Sequence, residues 1–314
     1  MTSQASEQAG TTVTSKASQE RMLRLSEEQL VPAGPVQGFF RGTWHSLVDL
    51  RNYRELLGLL VRRELKARYK DSTLGFLWSL LRPLAVLLVY YIAIGKFLGA
   101  ERSIPDFAIY VFTGLTAWQF FTDVVAGGTG CIVGNAGLIK KVYLPREVFP
   151  LSVVGSALFT FATQFLILCV GVVVAGEIPT GSRLLFAPLA LMVLLVYATA
   201  FALVLSAVNV YLRDVQYLVE IGLTVLFWST PVVYSWELVR SVVSHGALQQ
   251  LYLSNPITAA IMGMQRALWV AGSGQPYPEG LGTRLLIMLG IGLVLLWLAQ
   301  RLFARLEANF AQEL

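Results

Sequence analysis

The strongest constraint on this chain is its succession of apolar runs, each near the length needed to cross a bilayer. They cover about Leu74 to Leu98, Phe107 to Ala126, Leu151 to Ala175, Leu184 to Val208, Tyr217 to Tyr234 and Leu285 to Phe303. At about 1.5 Å of rise per residue, a helix of about 20 residues crosses a hydrocarbon layer of about 30 Å. Inside that layer the backbone has no water to bond, so each run must satisfy its own N–H and C=O groups as a helix. The expected fold class is an all-α integral membrane protein with six transmembrane helices per protomer. Composition agrees: 55% of the 314 residues are hydrophobic and 14% are charged.

A shorter apolar stretch, Ile257 to Val270, falls between the fifth and sixth runs. It has the length of a re-entrant or interfacial element. Asn255 offers an N-cap, Pro256 a first-turn proline and Gly272 a stop. Together with Leu248 to Leu253 it reads as a re-entrant helical hairpin dipping into the outer leaflet, the alternative being two short helices on the outer surface.

Ahead of the first run, Leu50, Tyr53, Leu56, Leu57, Leu60, Val61 and Leu65 share one face at helical spacing, opposite Arg51, Arg54, Arg62, Arg63, Lys66 and Lys70. This is an N-terminal amphipathic helix, suited either to an anionic membrane surface or to packing on another protein. Three regions follow: a disordered cytoplasmic tail over 1–40, the amphipathic helix region over 41–72, and a transmembrane domain over 73–314. Asp71, Ser72 and Thr73 offer the first span's N-cap, and Pro83 predicts a kink near Arg82. Gly127, Gly128, Gly130, Gly134 and Gly137 are expected to break the second run. Basic residues gather in the N-terminal region, around Lys140, Lys141 and Arg146, at Arg213 and in the tail, which puts both termini in the cytoplasm.

The chemistry is as informative in what it lacks. Asp49, Asp71, Asp106, Asp123 and Asp214 are isolated and the glutamates pair only at Glu27 and Glu28 in the N-terminal region, so no clustered carboxylates beside the spans stand ready to hold a metal diphosphate or to work as acid and base. The one Gly-Lys pair, Gly95-Lys96, is followed by Phe97, so no P-loop is present to cradle ATP. Cys131 and Cys169 sit in separate apolar stretches and read as packing residues, and His45 and His245 lack a partner. The net charge of +5 lies beside the spans as a topology signal and does not suggest nucleic-acid binding. The chain is not expected to be an enzyme, and its energy must come from another chain or an ion gradient.

The runs RRELKARYKDSTLGFLWSLLRPL, GNAGLIKKVYLPREVFPLS, NVYLRDVQYLV, FWSTPVVYS and NPITAAIMGMQRALW together resemble the membrane subunit of ABC-2 type exporters. The likeness is closest to the branch that moves lipid-linked polysaccharides such as O-antigens, teichoic acids and cell-wall galactan. It implies a homodimer in the bacterial inner or plasma membrane, docked on two copies of a separate nucleotide-binding subunit that holds the ATP and Mg. This chain would bind no cofactor itself. The amphipathic helix would be an interface helix, with Arg68, Tyr69 and Lys70 where a lipid diphosphate headgroup enters. Gly134, Leu138, Ile139, Lys140, Lys141 and Tyr143 would form the coupling helix seated on the ATPase, although spacing alone equally describes an ordinary positive-inside loop. The hairpin would be an outward gate, with Asn255, Pro256, Met264 and Arg266.

Tyr90, Tyr91, Trp118, Phe121 and Trp228 are candidate channel aromatics, because rings present apolar faces to sugar C–H groups while Tyr and Trp keep a polar handle. The competing reading is the aromatic belt of membrane proteins. Two other functions stand beside the polysaccharide exporter: an ABC-2 exporter of a small hydrophobic drug or lipid, and a membrane glycosyltransferase or gradient-driven flippase.

Overall fold

The computed structural model describes residues 48, 51–69, 77–142, 144–243 and 246–314. The expected tail over 1–40, the N-cap at Asp71 to Thr73, Lys70, Tyr143 and both histidines lie outside them, as does the side chain of Tyr69.

Among the described residues the regular structure is helical throughout. Helix α1 (Arg54–Tyr69) precedes α2 (Leu77–Tyr90), which passes through Pro83 and widens into a π-helical stretch over Tyr91–Phe97. Next come α3 (Phe107–Gly134), the single turn α4 (Ala136–Ile139), α5 (Val148–Val174) and α6 (Phe186–Tyr211). The chain ends with α7 (Val215–Trp228), α8 (Trp236–Val242), α9 (Gly246–Leu253), α10 (Pro256–Leu268), α11 (Leu281–Leu306) and α12 (Phe310–Glu313). Four stretches, Leu80–Phe97, Val148–Val174, Gly181–Tyr211 and Leu281–Asn309, are long and apolar enough to cross a membrane.

Helix α3 is the axis of the bundle and packs against α5, α6, α7 and α10. Its 28 residues include Gln119 and Asp123, which lower its mean hydropathy. Its neighbours cover much of its length, so fewer of its side chains need to suit lipid. Of the glycines expected to break it, Gly127, Gly128, Gly130 and Gly134 lie within it, and Gly137 lies in α4. A Cβ on Gly128 would stand 2.5 Å from the Cβ of Ala202 on α6, and one on Gly127 would stand 3.0 Å from Val153 on α5. These two glycines are where three helices approach, which is the role small residues have in membrane bundles.

The fifth apolar run departs from expectation in the other direction. Its helix, α7, stops at Trp228 after 14 residues, about 21 Å of rise. Pro231 cannot donate to a helical ladder, and the chain turns through Ser229–Ser235 with Thr230, Val232 and Val233 buried. The carbonyls freed there find side-chain donors. Tyr110 Oη donates to Tyr234 O at 2.7 Å and to Pro231 O at 3.2 Å, and Gln265 Nε2 donates to Pro231 O at 2.9 Å. Irregular backbone buried in protein is tolerated on these terms.

The bundle has two distinguishable ends. At one, Tyr211 Oη donates to Leu306 O at 2.8 Å, and Phe310 is buried between Tyr211 and Phe303. At the other, Trp269 Nε1 donates to Pro105 O at 2.7 Å, and Arg183 donates to the carbonyls of Arg266 and Trp269. Helix α5 separates the turn after α4 from the turn holding Arg183, so these lie at opposite ends.

Candidate functional site

The amphipathic face read from the sequence is the face α1 turns inward. Leu60 is buried, and Tyr53, Leu56 and Leu57 pack against the small core formed by Ile132, Ile139, Phe149 and Phe303. One charged residue, Glu64, lies on that same face. It is satisfied by two buried hydroxyls one turn apart on α5: Ser152 Oγ donates to it at 2.9 Å and Ser156 Oγ at 3.0 Å. Beside it Arg63 donates to Asn135, the residue between α3 and α4. Helix α1 is thus pinned to both α5 and the turn that follows α3. Val61 lies against Gly155, Glu64 holds Ser152 and Ser156, and Arg68 reaches Thr160. Contacts that advance together along both helices mean that α1 runs alongside α5, climbing from its first turn towards its middle.

At the top of that climb lies a polar cluster. Arg68 Nη1 donates to Thr160 Oγ1 at 3.1 Å and faces the Asp123 carboxylate at 3.9 Å. Gln119 Nε2 donates to the other Asp123 oxygen at 2.8 Å. An isolated charge at the centre of a membrane costs at least about 2.5–3.5 kcal/mol, so opposite charges meeting within a helical bundle stabilise each other's presence there. Glu64 and the Asp123 pairing had escaped the sequence reading. A carboxylate on the apolar face of α1 was the visible signal for the first; the second depends on which helices touch.

The turn at α4 is divided between inside and outside. Ile139 is buried and Leu138 half-buried in the protein's own core, whereas Gly134, Lys140 and Lys141 are exposed. Ile139 was expected to meet a partner and instead anchors the turn, leaving the lysines and Val142 outermost. The C-terminal segment closes beside it, with Arg146 over the Phe310 ring at 5.6 Å and Gln300 Nε2 donating to Glu147 at 2.7 Å.

Among the aromatics, Trp118 and Phe121 are buried inside the protomer, Trp118 edge-on to Phe227 at 5.4 Å and Phe121 against Phe201 at 6.2 Å. Tyr90 is half-buried beside Phe227, and Tyr91 carries Lys96 over its ring, where Lys96 also pairs with Glu101 at 2.6 Å. Trp228 is 56% exposed.

At the opposite end, Asn255 Oδ1 accepts from Ile257 N at 3.0 Å, capping α10 directly before Pro256. Most of α10, including Met264, is buried between α3, α6 and α11. Arg266 lies between the rings of Phe186 and Tyr277, at 4.6 and 5.6 Å. Burial raises the Tyr277 phenol above its ordinary range, against the opposing pull of Arg183 and Arg266.

Residues 55–269 match the family described as ABC-2 type transporter. The chain belongs to that family. Among its relatives is an O-antigen export system permease protein RfbA of Myxococcus xanthus, 32% identical over 266 residues that cover 85% of this chain and 98% of the relative. An RfbA of Klebsiella pneumoniae is 28% identical over 64% of this chain and 78% of its own length. The polysialic acid transport protein KpsM of Escherichia coli is 25% identical over 56% and 68% respectively. The ABC-2 match starts at Glu55, inside α1, so the family region takes in the helix pinned to α5 as well as the membrane bundle.

Proposed function

We propose that this chain is the permease subunit of an ATP-driven exporter that moves a lipid-linked polysaccharide from the cytoplasmic leaflet across the inner membrane. What carries the reading is the 32% identity that runs the whole length of an O-antigen permease. A homodimer would form the conduit, and two copies of a separate ATPase would bind ATP and Mg and supply the motion. Helices α2 and α7 leave apolar side chains such as Trp78, Leu88, Leu218 and Val225 more than half exposed, surfaces suited to lipid or to a second copy.

In this reading the turn at α4 and helix α1 form one lever. The ATPase meets Lys140, Lys141 and the adjoining surface, and displacement there passes through Asn135 and Arg63 to α1, and through Glu64 to α5. Arg68 sits at the far end of that lever, where the diphosphate headgroup would be admitted. The segment from α9 to α10 would be the outward gate, a re-entrant hairpin whose capped and buried second helix is fixed to the bundle. Six crossings, by α2, α3, α5, α6, the α7 segment and α11, put both termini in the cytoplasm, in keeping with the basic residues.

Depleting the protein in its own host and analysing membrane lipids tests this directly. The expected result is a lipid-linked glycan accumulating on the cytoplasmic leaflet while its surface form disappears. An unchanged surface glycan with no accumulating lipid-linked intermediate would overturn the proposal.

A further inference from the structure

Asp123 is a carboxylate inside the axial helix of a membrane bundle, and the chain gives it a specific environment. It lies about three helical turns, roughly 16 Å, before the end of α3 at Gly134. Thr160, which holds Arg68, lies about as far, roughly 18 Å, from the start of α5 at Val148. The cation and the carboxylate are therefore matched in depth, from helices whose ends meet at the coupling turn.

The contacts of Asp123 are unequal. Gln119, on its own helix, bonds one oxygen at 2.8 Å, a full hydrogen bond. Arg68 faces the other oxygen at 3.9 Å, beyond hydrogen-bond length, while bonding Thr160 at 3.1 Å. The Arg68 and Asp123 side chains are 38% and 21% exposed, so the pair is neither sealed nor fully solvated. A guanidinium carries several N–H donors in a fork suited to carboxylate or phosphate, and Asp123 engages that fork only loosely.

We infer that Asp123 is an internal stand-in for the substrate's phosphate, occupying the Arg68 cation site until a lipid-borne diphosphate displaces it. The inference rests on the exporter reading above and adds a specificity-determining residue to it. Diphosphate carries more charge and offers more acceptor oxygens to the Arg68 fork than one carboxylate, so it wins the exchange. A neutral lipid or a single weak anion does not, and Arg68 stays with Asp123. The exchange frees Arg68, the last described side chain of α1, from α3, so headgroup arrival is felt by the helix that leads back to the coupling turn.

The test uses the complete permease–ATPase complex in nanodiscs of neutral phosphatidylcholine, with ATP hydrolysis followed as undecaprenyl diphosphate is added. Asp123→Asn is expected to lower the half-maximal lipid concentration about fivefold or more, the lower part of the range for coupled binding events. The maximal rate should be retained, and Asp123→Glu should behave as wild type. The gain must vanish in Asp123→Asn/Arg68→Gln, a dependence that a merely structural Asp123 would not produce. Melting temperatures of each variant identify any loss that is only misfolding. A stimulated wild type with Asp123→Asn unshifted, or shifted to higher lipid concentration, overturns this inference alone. A wild type indifferent to the lipid overturns the cargo reading and this inference with it. Inorganic pyrophosphate is added in parallel, and equal stimulation by it would overturn the assignment to a lipid-borne group.

Discussion

Gly128 shows how differently one residue reads before and after its neighbours are known. In sequence a cluster of glycines is punctuation, and it was expected to end the second span. In the bundle Gly128 is the point where α3 touches α6, and an added Cβ would meet the Ala202 side chain at 2.5 Å and its Cα at 3.1 Å. The obstruction includes backbone, so a rotamer change cannot relieve it. Gly128→Val should cost about 1–3 kcal/mol through overpacking, offset only in part by helix propensity. The measurable outcome is a lower melting temperature in detergent. Gly134→Val, with nothing within 4 Å of the added Cβ, serves as the control and should leave the melt unchanged. Glu64 is the opposite case. Its position on the apolar face of α1 was visible in the spacing of Leu60, Val61 and Leu65, but its partners Ser152 and Ser156 lie 88 and 92 residues away, and no local pattern links them.

At the scale of the element, periodicity carried most of what could be known. The inward face of α1 is the one that Tyr53, Leu56, Leu57 and Leu60 mark, and α10 begins at the cap and proline that Asn255 and Pro256 announce. The early end of α7 was not legible, because Thr230 to Tyr234 is apolar enough to continue a span. What ends the helix is Pro231, and what makes the ending tolerable is the pair of donors from Tyr110 and Gln265, a tertiary fact. The coupling turn divides in a similar way. Hydrophobic Leu138 and Ile139 turn towards the core and basic Lys140 and Lys141 towards the surface, and only the packing shows that this core is the protein's own. This distinction gives a two-arm expectation. Ile139→Asp places a charge in the core of that end and should lower yield and melting temperature. Lys140→Glu/Lys141→Glu should leave the melt intact, yet weaken co-purification with the ATPase and cut transport. If the lysine variant binds its ATPase as wild type does, the turn is not the docking surface.

For the molecule as a whole the open quantity is the number of crossings, and it turns on the segment from α7 to α10. Tyr211 is bonded to Leu306 at one end of the bundle, and Trp269 is bonded to Pro105 and Arg183 at the other. Between residues 211 and 269 the chain must therefore pass from one end to the other. It contains only short helices with which to do so, the longest being the 14-residue α7. A helix of that length spans about 21 Å, short of a hydrocarbon layer of about 30 Å, so a crossing that uses α7 requires the buried turn over Ser229–Ser235 to complete it. Single cysteines placed at exposed positions in a Cys131→Ala/Cys169→Ala background give a direct reading with a membrane-impermeant maleimide. Lys141→Cys, Arg213→Cys and Gln312→Cys should be labelled only from the cytoplasmic side, and Arg240→Cys and Glu279→Cys only from outside. The discriminating site is Arg240, just beyond the turn that Tyr110 holds. If it labels from the cytoplasm while Glu279 labels from outside, the passage occurs later in the chain and α7 is not part of a fifth span. Labelling of Arg240 and Arg213 from opposite sides would mean that a helix too short to cross does so with the help of a non-helical segment whose carbonyls are bonded from α3 and α10. The fifth crossing would then be held together by the same helices that hold the outer end of the bundle, so a movement of α10 would be felt by the fifth span.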